Sequence, residues 1–357
     1  MLLQDTGHDE SLRRDLSCAI VRLTWRLKRL DLDTLELSDY TRHCLGQRLN
    51  QLESVLAAHA HLLELALRNR SRPAEELSLV DYGGGTGCLA FLAKELGVGT
   101  VVYDDIDPVA CQDVAVLGES LGVAPDHVVC GDVDHLVSTL SRWELSVDAV
   151  VSYDVIEHVY DVEEHYRQLG RLPGHRLRII HGSEANAANT RHARRVSRQQ
   201  VVIENEDREP PGFQGEPETL KAYVELRKDI ISARAPQVQG DELDRLARRT
   251  RGLRKDDIET LVDEYVATGR LDYEPEHPTN TCDPLTGNWA EQLMDVSWLV
   301  SIAGRAGFQA RIVPGRRASC GPLPKKLLKR PTNAIIDLLG QRGLFMAPYY
   351  VVHATRC

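Results

Sequence analysis

The chain has 357 residues, 42% of them apolar, and a formal charge of -10, which is ample for a globular core and argues against a general nucleic-acid or membrane-surface binder. No window approaches 18 uninterrupted apolar residues, and the start MLLQDTGHDESLRR lacks the basic and then apolar pattern of a leader, so a cytoplasmic protein without a membrane span is expected. The eight cysteines (Cys18, Cys44, Cys88, Cys111, Cys130, Cys282, Cys320, Cys357) are scattered and form no CxxC, which points to reduced thiols rather than a disulfide or zinc framework.

Residues 1–72 read as a helical region. Leu45, Leu49, Leu52, Leu56 and Leu63, with His59 and Ala66, recur at the four-three spacing of an apolar stripe. Such a stripe needs cover, either from the main domain or from a second copy in a homodimer seam. From Leu77 to His181 the strand-like runs LSLV, TVVYD, HVVCGD, DAVVSY and LRIIH alternate with helical segments, the pattern of a parallel sheet with helical crossovers. Residues 185–285 are polar and mostly helical in propensity, KAYVELRKDIISARA and DIETLVDEYVATG most clearly, and read as an insertion serving as lid or substrate-binding element. WAEQLMDVSWLVSIAGRAG then reads as a helix, and FQARIVP and YYVVHAT as strands, so 73–184 and 286–357 form one α/β domain.

The stretch VDYGGGTGCLA, Val80 to Ala90, ends the first strand-like run with four glycines in five positions. A glycine-rich turn between a strand and a helix lets a ligand approach backbone N–H groups and the positive end of the helix. Gly85-Thr86-Gly87-Cys88-Leu89-Ala90 matches the GxGxxA dinucleotide fingerprint, so NAD stays open on the glycines alone. Asp81 changes the balance. In D-x-G-x-G-x-G its carboxylate stands at the strand end, suited to a cationic ligand and repulsive to a pyrophosphate. The next run ends in YDDIDP, with Asp105 placed to accept from ribose hydroxyls and Asp104 as its fallback; the third ends in GDVD, with Asp132 able to accept from an adenine amino group or to serve as a turn residue.

Together Asp81 to Gly87, Asp105 to Pro108, Gly131 to Val133 and DAVVSYDVIEHV resemble, in order and spacing, the motifs of class I S-adenosylmethionine-dependent methyltransferases. The resemblance covers about residues 75–182 and the last helix and two strands. It implies a Rossmann-like α/β fold with a seven-stranded, mostly parallel sheet, to which the N-terminal helical region and the helical insertion are added. It also implies that Gly83, Gly85 and Gly87 face the methionine part of the cofactor, that Asp105 binds the ribose, and that Asp132 and the Val133 backbone hold adenine.

Methyl transfer from a sulfonium is an in-line displacement, so the protein must align the acceptor, exclude water and help remove its proton. Candidates lie in SYDVIEHVYD. Asp154, Glu157 and His158 are spaced i, i+3, i+4 and would share one face of a helix start, and His181 ends the following strand. Two carboxylates and two imidazoles there could hold a divalent metal (Mg, Mn, Fe or Zn), as D-x-x-E-H is similar to E-x-x-E-H in metal-dependent RNA and ubiquinone O-methyltransferases. His158 as a metal-free general base and a purely structural pair are the alternatives.

Eight basic residues and no acidic one fall between Arg305 and Arg330: Arg305, Arg311, Arg316, Arg317, Lys325, Lys326, Lys329 and Arg330. If this segment flanks the acceptor, the acceptor is anionic, a small molecule or glycan. HPTNTCDPLTGNWAE could line the same pocket through Asn280, Asp283, Asn288 or Trp289, or form a plain turn and helix cap. The segment from Asn186 to Asp257 carries 15 basic and 13 acidic residues, too balanced to favour RNA. The expected function is therefore methyl transfer to oxygen, less so nitrogen, of a hydroxylated small molecule or sugar-containing metabolite. An RNA ribose 2′-O-methyltransferase and a non-catalytic cofactor-binding scaffold are the alternatives.

Overall fold

The computed structural model describes residues 6–210, 219–317 and 323–357. In chain order these form helices α1 (Thr6–Arg29), α2 (Asp39–Leu49) and α3 (Leu52–Leu67), strand β1 (Ser78–Tyr82), α4 (Cys88–Leu96), β2 (Thr100–Asp105), α5 (Pro108–Leu121), β3 (His127–Cys130), α6 (Val133–Arg142), β4 (Ala149–Tyr153), α7 (Val162–Leu169) and β5 (Arg178–Ser183). The helices α8 (Thr190–Asn205), α9 (Tyr223–Arg234), α10 (Asp241–Arg249) and α11 (Lys255–Thr268) follow, then α12 (Val296–Arg305), β6 (Phe308–Pro314), α13 (Leu323–Leu339) and β7 (Tyr350–Arg356). Two compact units result. One comprises residues 1–156, 162–184 and 295–357; the other comprises 157–161 and 185–294.

In the first unit, seven strands of the described residues lie in the order β3-β2-β1-β4-β5-β7-β6, with β1 to β5 parallel and β7 antiparallel to both its neighbours. Strand alternation sends Leu79, Val101, Tyr103, Ala149, Val151 and Ile180 to one face of the sheet. There they join α3 and α4 in a core with Leu23 and Leu27 of α1 and Leu56, Leu62 and Leu63 of α3. The apolar stripe is thus covered by the chain's own sheet, and the homodimer seam is not needed to bury it. It is also not one helix: α2 stops at Leu49, and α3 starts at Leu52 after Asn50 and Gln51. Nearly all of α3 is buried because it lies between α1 and α4 and against β4 and β5. Each fully buried leucine there contributes on the order of 2 kcal/mol.

The helix expected over residues 289–307 is shorter than its sequence pattern. Asp295 caps α12 by accepting from the Ser297 and Trp298 amides, and that stop signal leaves 289–294 irregular. No helix among the described residues is long and apolar enough to cross a membrane.

The second unit has its own core, built from Val224, Ile230 and Ile231 of α9, Leu246 of α10 and Ile258 and Val262 of α11. Arg227 is fully buried in it. Its guanidinium pairs with Glu204 and donates to the Ala247 carbonyl, and Glu204 also accepts from Thr281 at 2.8 Å, so the charge is compensated inside the unit.

Five histidines are sealed in the first unit. Burial pushes His59, His61 and His353 down to about 3, His165 to about 4, and His181 well below the ordinary imidazole value. The unfolded chain protonates them near 6.5, so below that pH it binds more protons than the native state and stability falls with falling pH, by up to about 1.4 kcal/mol per pH unit per histidine. Asp81 and Asp104, raised by burial to about 7 and about 9, act in the opposite direction, holding protons that the unfolded chain has released. With five groups against two, we expect unfolding midpoints in urea to drop steeply between pH 6.5 and 4.5. A flat profile over that range would contradict the burial of these rings.

Candidate functional site

The strand order reverses between β1 and β4, and in an open α/β sheet ligands bind outside the carboxyl ends of the strands at that point. The glycine loop leaves β1 there. Gly83, Gly85 and Gly87 have φ of 64°, 53° and 75°, a region that side chains other than glycine rarely adopt. Yet the glycines answer to different needs. A Cβ on Gly83 would lie 2.7 Å from Val155, one on Gly87 2.6 Å from Val114, and one on Gly84 would run into the Tyr103 ring. Only Gly85 looks onto open space, with Arg48 Nη2 the nearest atom at 3.9 Å. The idea that all the spaced glycines clear room for a ligand therefore narrows to Gly85; Gly83 and Gly87 clear room for protein.

Asp105 borders the same loop, half-buried. Its Oδ2 accepts from the Gly85 amide at 2.8 Å and its Oδ1 from the Asp107 amide at 3.0 Å, while Tyr103 Oη donates to the Gly85 carbonyl at 2.7 Å. Asp104 points to the other face and is buried, with Oδ1 lacking a hydrogen bond. Burial, and then the charges of Asp105, Asp81 and Asp132, raise it to about 9, so it is protonated and unsuited to the role of fallback ribose ligand. Asp81 departs from the sequence reading: it is 2% exposed, and its Oδ2 accepts from the Ala90 amide at 2.9 Å. It ties the end of β1 to the first turn of α4 instead of offering a carboxylate to a cation. Asp132 is exposed and caps α6 through the His135 amide at 2.9 Å; Val133 opens that helix and is buried.

One residue of this site escaped the sequence reading. Arg48 of α2 donates to Thr86 Oγ1 at 3.0 Å, and a cavity of about 350 Å³ beside it is lined by Tyr40, Cys44, Arg48, Val55, Gly85 and Thr86. Among the described residues no carboxylate pairs with Arg48. Its place follows from how α2 packs, and no local motif marks it.

The four candidate metal ligands do not assemble. Asp154 sits at φ 55° immediately after β4, its Oδ1 accepting from the Glu184 amide at 2.8 Å, and residues 156–158 form a single 3-10 turn, so no helical face carries Asp154, Glu157 and His158 together. His181 lies inside β5, two residues before its end. Alternation turns it toward α7, where it is wholly buried against His165 and Tyr166 with Nδ1 2.6 Å from Ser152 Oγ. Among the described residues no group of three or more His, Cys, Asp or Glu is arranged to hold a metal ion. The donor set does not fit one.

His158 belongs to the second unit. Its Nδ1 lies 2.7 Å from the Trp289 carbonyl, which can only accept, so Nδ1 is the donor there and Nε2 is the ring nitrogen left to meet a ligand. A cavity of about 560 Å³ in this unit is lined by His158, Arg198, Val202, Ile203, Arg208 and Glu291. Arg208 stacks over Tyr223, and its Nε is buried without a hydrogen bond. Glu157 is buried and its carbonyl accepts from Gln292. Of the other expected lining residues, Asn280 is a buried strut between Gln200 and Leu293, Asp283 closes a turn on Leu285, and Trp289 stacks on Tyr160.

The described arginines of the basic run take different partners. Arg305 pairs with Glu163 at 2.6 Å, Arg316 with Asp337 at 3.3 Å and Glu64 at 3.5 Å, and Arg311 lies against His353. Residues 318–322 and the side chains of residues 323–330, with Lys325, Lys326, Lys329 and Arg330 of the run, lie outside the described residues.

Residues 80–174 match the family model described as a methyltransferase domain. No curated protein matches the sequence. Solved structures similar to the chain include an S-adenosylmethionine-dependent methyltransferase from Mesorhizobium loti (15% identity, 84% of this chain and 98% of that one, TM-score 0.37). Others are the plantazolicin methyltransferase in complex with SAH (13%, 97% and 99%, TM-score 0.38) and the CurJ carbon methyltransferase (10%, 99% and 71%, TM-score 0.42). The family match spans the glycine loop, the Asp105 turn and the end of β4, on a sheet whose order reverses at that loop: over residues 80–174 the chain carries a methyltransferase domain.

Proposed function

We propose that the enzyme methylates oxygen, less readily nitrogen, on an anionic hydroxylated small molecule or sugar-containing metabolite, with His158 taking the acceptor's proton. The observation that carries this reading is the cavity of the second unit, where His158 has its protonated nitrogen engaged by Trp289 and two arginines share the wall. S-adenosylmethionine, when bound, supplies the methyl group on a sulfonium. In the first unit Asp105 accepts from the ribose hydroxyls, and Asp132 with the Val133 amide holds the adenine edge. Gly85 leaves space for the methionine end, whose carboxylate Arg48 neutralises. In the second unit Arg208 and Arg198 receive the acceptor's anionic group, and Val202 and Ile203 keep water away from its hydroxyl.

The test is transfer of labelled methyl into a fractionated cell extract, with and without EDTA. Label in small soluble or glycan-containing material that is insensitive to EDTA is expected. Label in RNA, or activity lost to EDTA and restored by one divalent metal, would overturn the acceptor class or the metal-free base respectively.

A further inference from the structure

At the edge of the sheet opposite the glycine loop, a cavity of about 360 Å³ is lined by Arg68, Asn69, Arg178, Gln309, Ala310, Arg311, His353 and Thr355. Arg178 is the first residue of β5, Gln309 lies near the start of β6 and Thr355 near the end of the antiparallel β7, so the cavity opens at the amino ends of the parallel strands. Three guanidinium groups line it, and no carboxylate does. In a chain with 53 acidic and 43 basic residues this is a local inversion of charge.

Each candidate counter-ion is accounted for. Arg178 donates to the carbonyls of Ala66 and Arg68 at 3.0 and 2.6 Å, capping the end of α3, which orients the group and leaves its charge in place. Arg311 Nη2 lies 3.1 Å from His353 Nδ1; an arginine only donates, so Nδ1 accepts and His353 presents an N–H at Nε2. His353 is held neutral, by burial first and then by the charges of Arg311, Arg178, Arg68 and Arg70, so it adds a donor and no charge. Arg68 makes no side-chain hydrogen bond or ion pair among the described residues. The nearby Asp148 is already shared by Arg70 and Arg72.

We propose that this cavity is an anion site for a phosphate group, distinct from the methyl-transfer site, with Arg68 and Arg311 as its charged walls, Arg178 behind them, and Gln309 and Thr355 as neutral donors. A tetrahedral oxyanion with several acceptor oxygens matches forked donors contributed by three separate segments, the end of α3, β5 and β6. The volume admits a phosphomonoester of a small organic body as well as free phosphate.

The test is thermal unfolding and calorimetric titration of the full chain with inorganic phosphate and with glycerol phosphate, against sodium chloride of equal ionic strength. Phosphate is expected to raise the unfolding temperature in a saturable manner. Arg68→Gln with Arg311→Gln should weaken its binding at least tenfold, leaving SAH affinity and methyl transfer unchanged. Arg178 is left intact because its loss would uncap α3. Tighter binding of glycerol phosphate than of phosphate would identify a phosphomonoester as the ligand; equal binding would identify the free ion. A shift no larger than that given by chloride, or one that survives in the double variant, would overturn the proposal.

Discussion

Asp105→Ala is expected to reduce affinity for S-adenosylmethionine and SAH by roughly 10²- to 10⁴-fold. Two ribose hydroxyls donating to one carboxylate are charge-assisted bonds of about 1.5–3 kcal/mol each, and every 1.4 kcal/mol is tenfold in binding. The carboxylate also holds the Gly85 and Asp107 amides, so the alanine variant loosens the loop as well. Asp105→Asn is the milder probe: its single amide oxygen keeps one of the two amide contacts, to Gly85 or to Asp107, while the negative charge offered to the ribose hydroxyls is lost. Calorimetric titration of both variants is decisive. Wild-type affinity in Asp105→Ala would remove Asp105 from the cofactor site. Failure of the wild type itself to bind SAH would instead put the cofactor reading at fault.

His158→Gln is expected to lower kcat by about 10²- to 10⁴-fold, the range of a single general base, with SAH binding unchanged. Glutamine can still donate to the Trp289 carbonyl, so the local fold is kept and only the acceptor nitrogen is lost. A residue that merely supports the turn at 156–158 would be rescued by glutamine, and activity near wild type in this variant would reduce His158 to that role.

The contrast between Asp105 and Asp81 shows how far residue pattern reaches. Both are acids at strand ends beside the glycine loop, and both were legible as such. Asp105 ends β2 half-exposed with its carboxylate on the rim, whereas Asp81 faces inward and staples β1 to α4. Sequence spacing gives the strand end. Alternation gives both the same face of the sheet, but how deeply each carboxylate is buried, and what amide waits there, depends on what packs above it.

The same limit explains His181 and Arg48. His181 looked like a fourth metal donor because LRIIH ends in it, yet β5 runs on to Ser183, and the shift places the ring in the layer under α7. Arg48 had no signal at all, since its neighbour Thr86 lies 38 residues away. The basic run from Arg305 to Arg330 was a true feature of composition, but its described members Arg305, Arg316 and Arg311 divide among Glu163, Glu64, Asp337 and the far-edge cavity.

What the sequence by itself determined is the sheet and its loop. Alternating apolar runs, glycines needing positive φ and acids at fixed distances are local constraints, each acting within one strand, turn or helix start. The tertiary structure alone decided which glycine faces open space, which acids are buried and neutral, which arginine reaches the loop, and where three uncompensated guanidinium groups meet. Those outcomes come from packing between segments distant in the chain, where burial sets the charge of a carboxylate and a neighbouring helix sets what a side chain can touch.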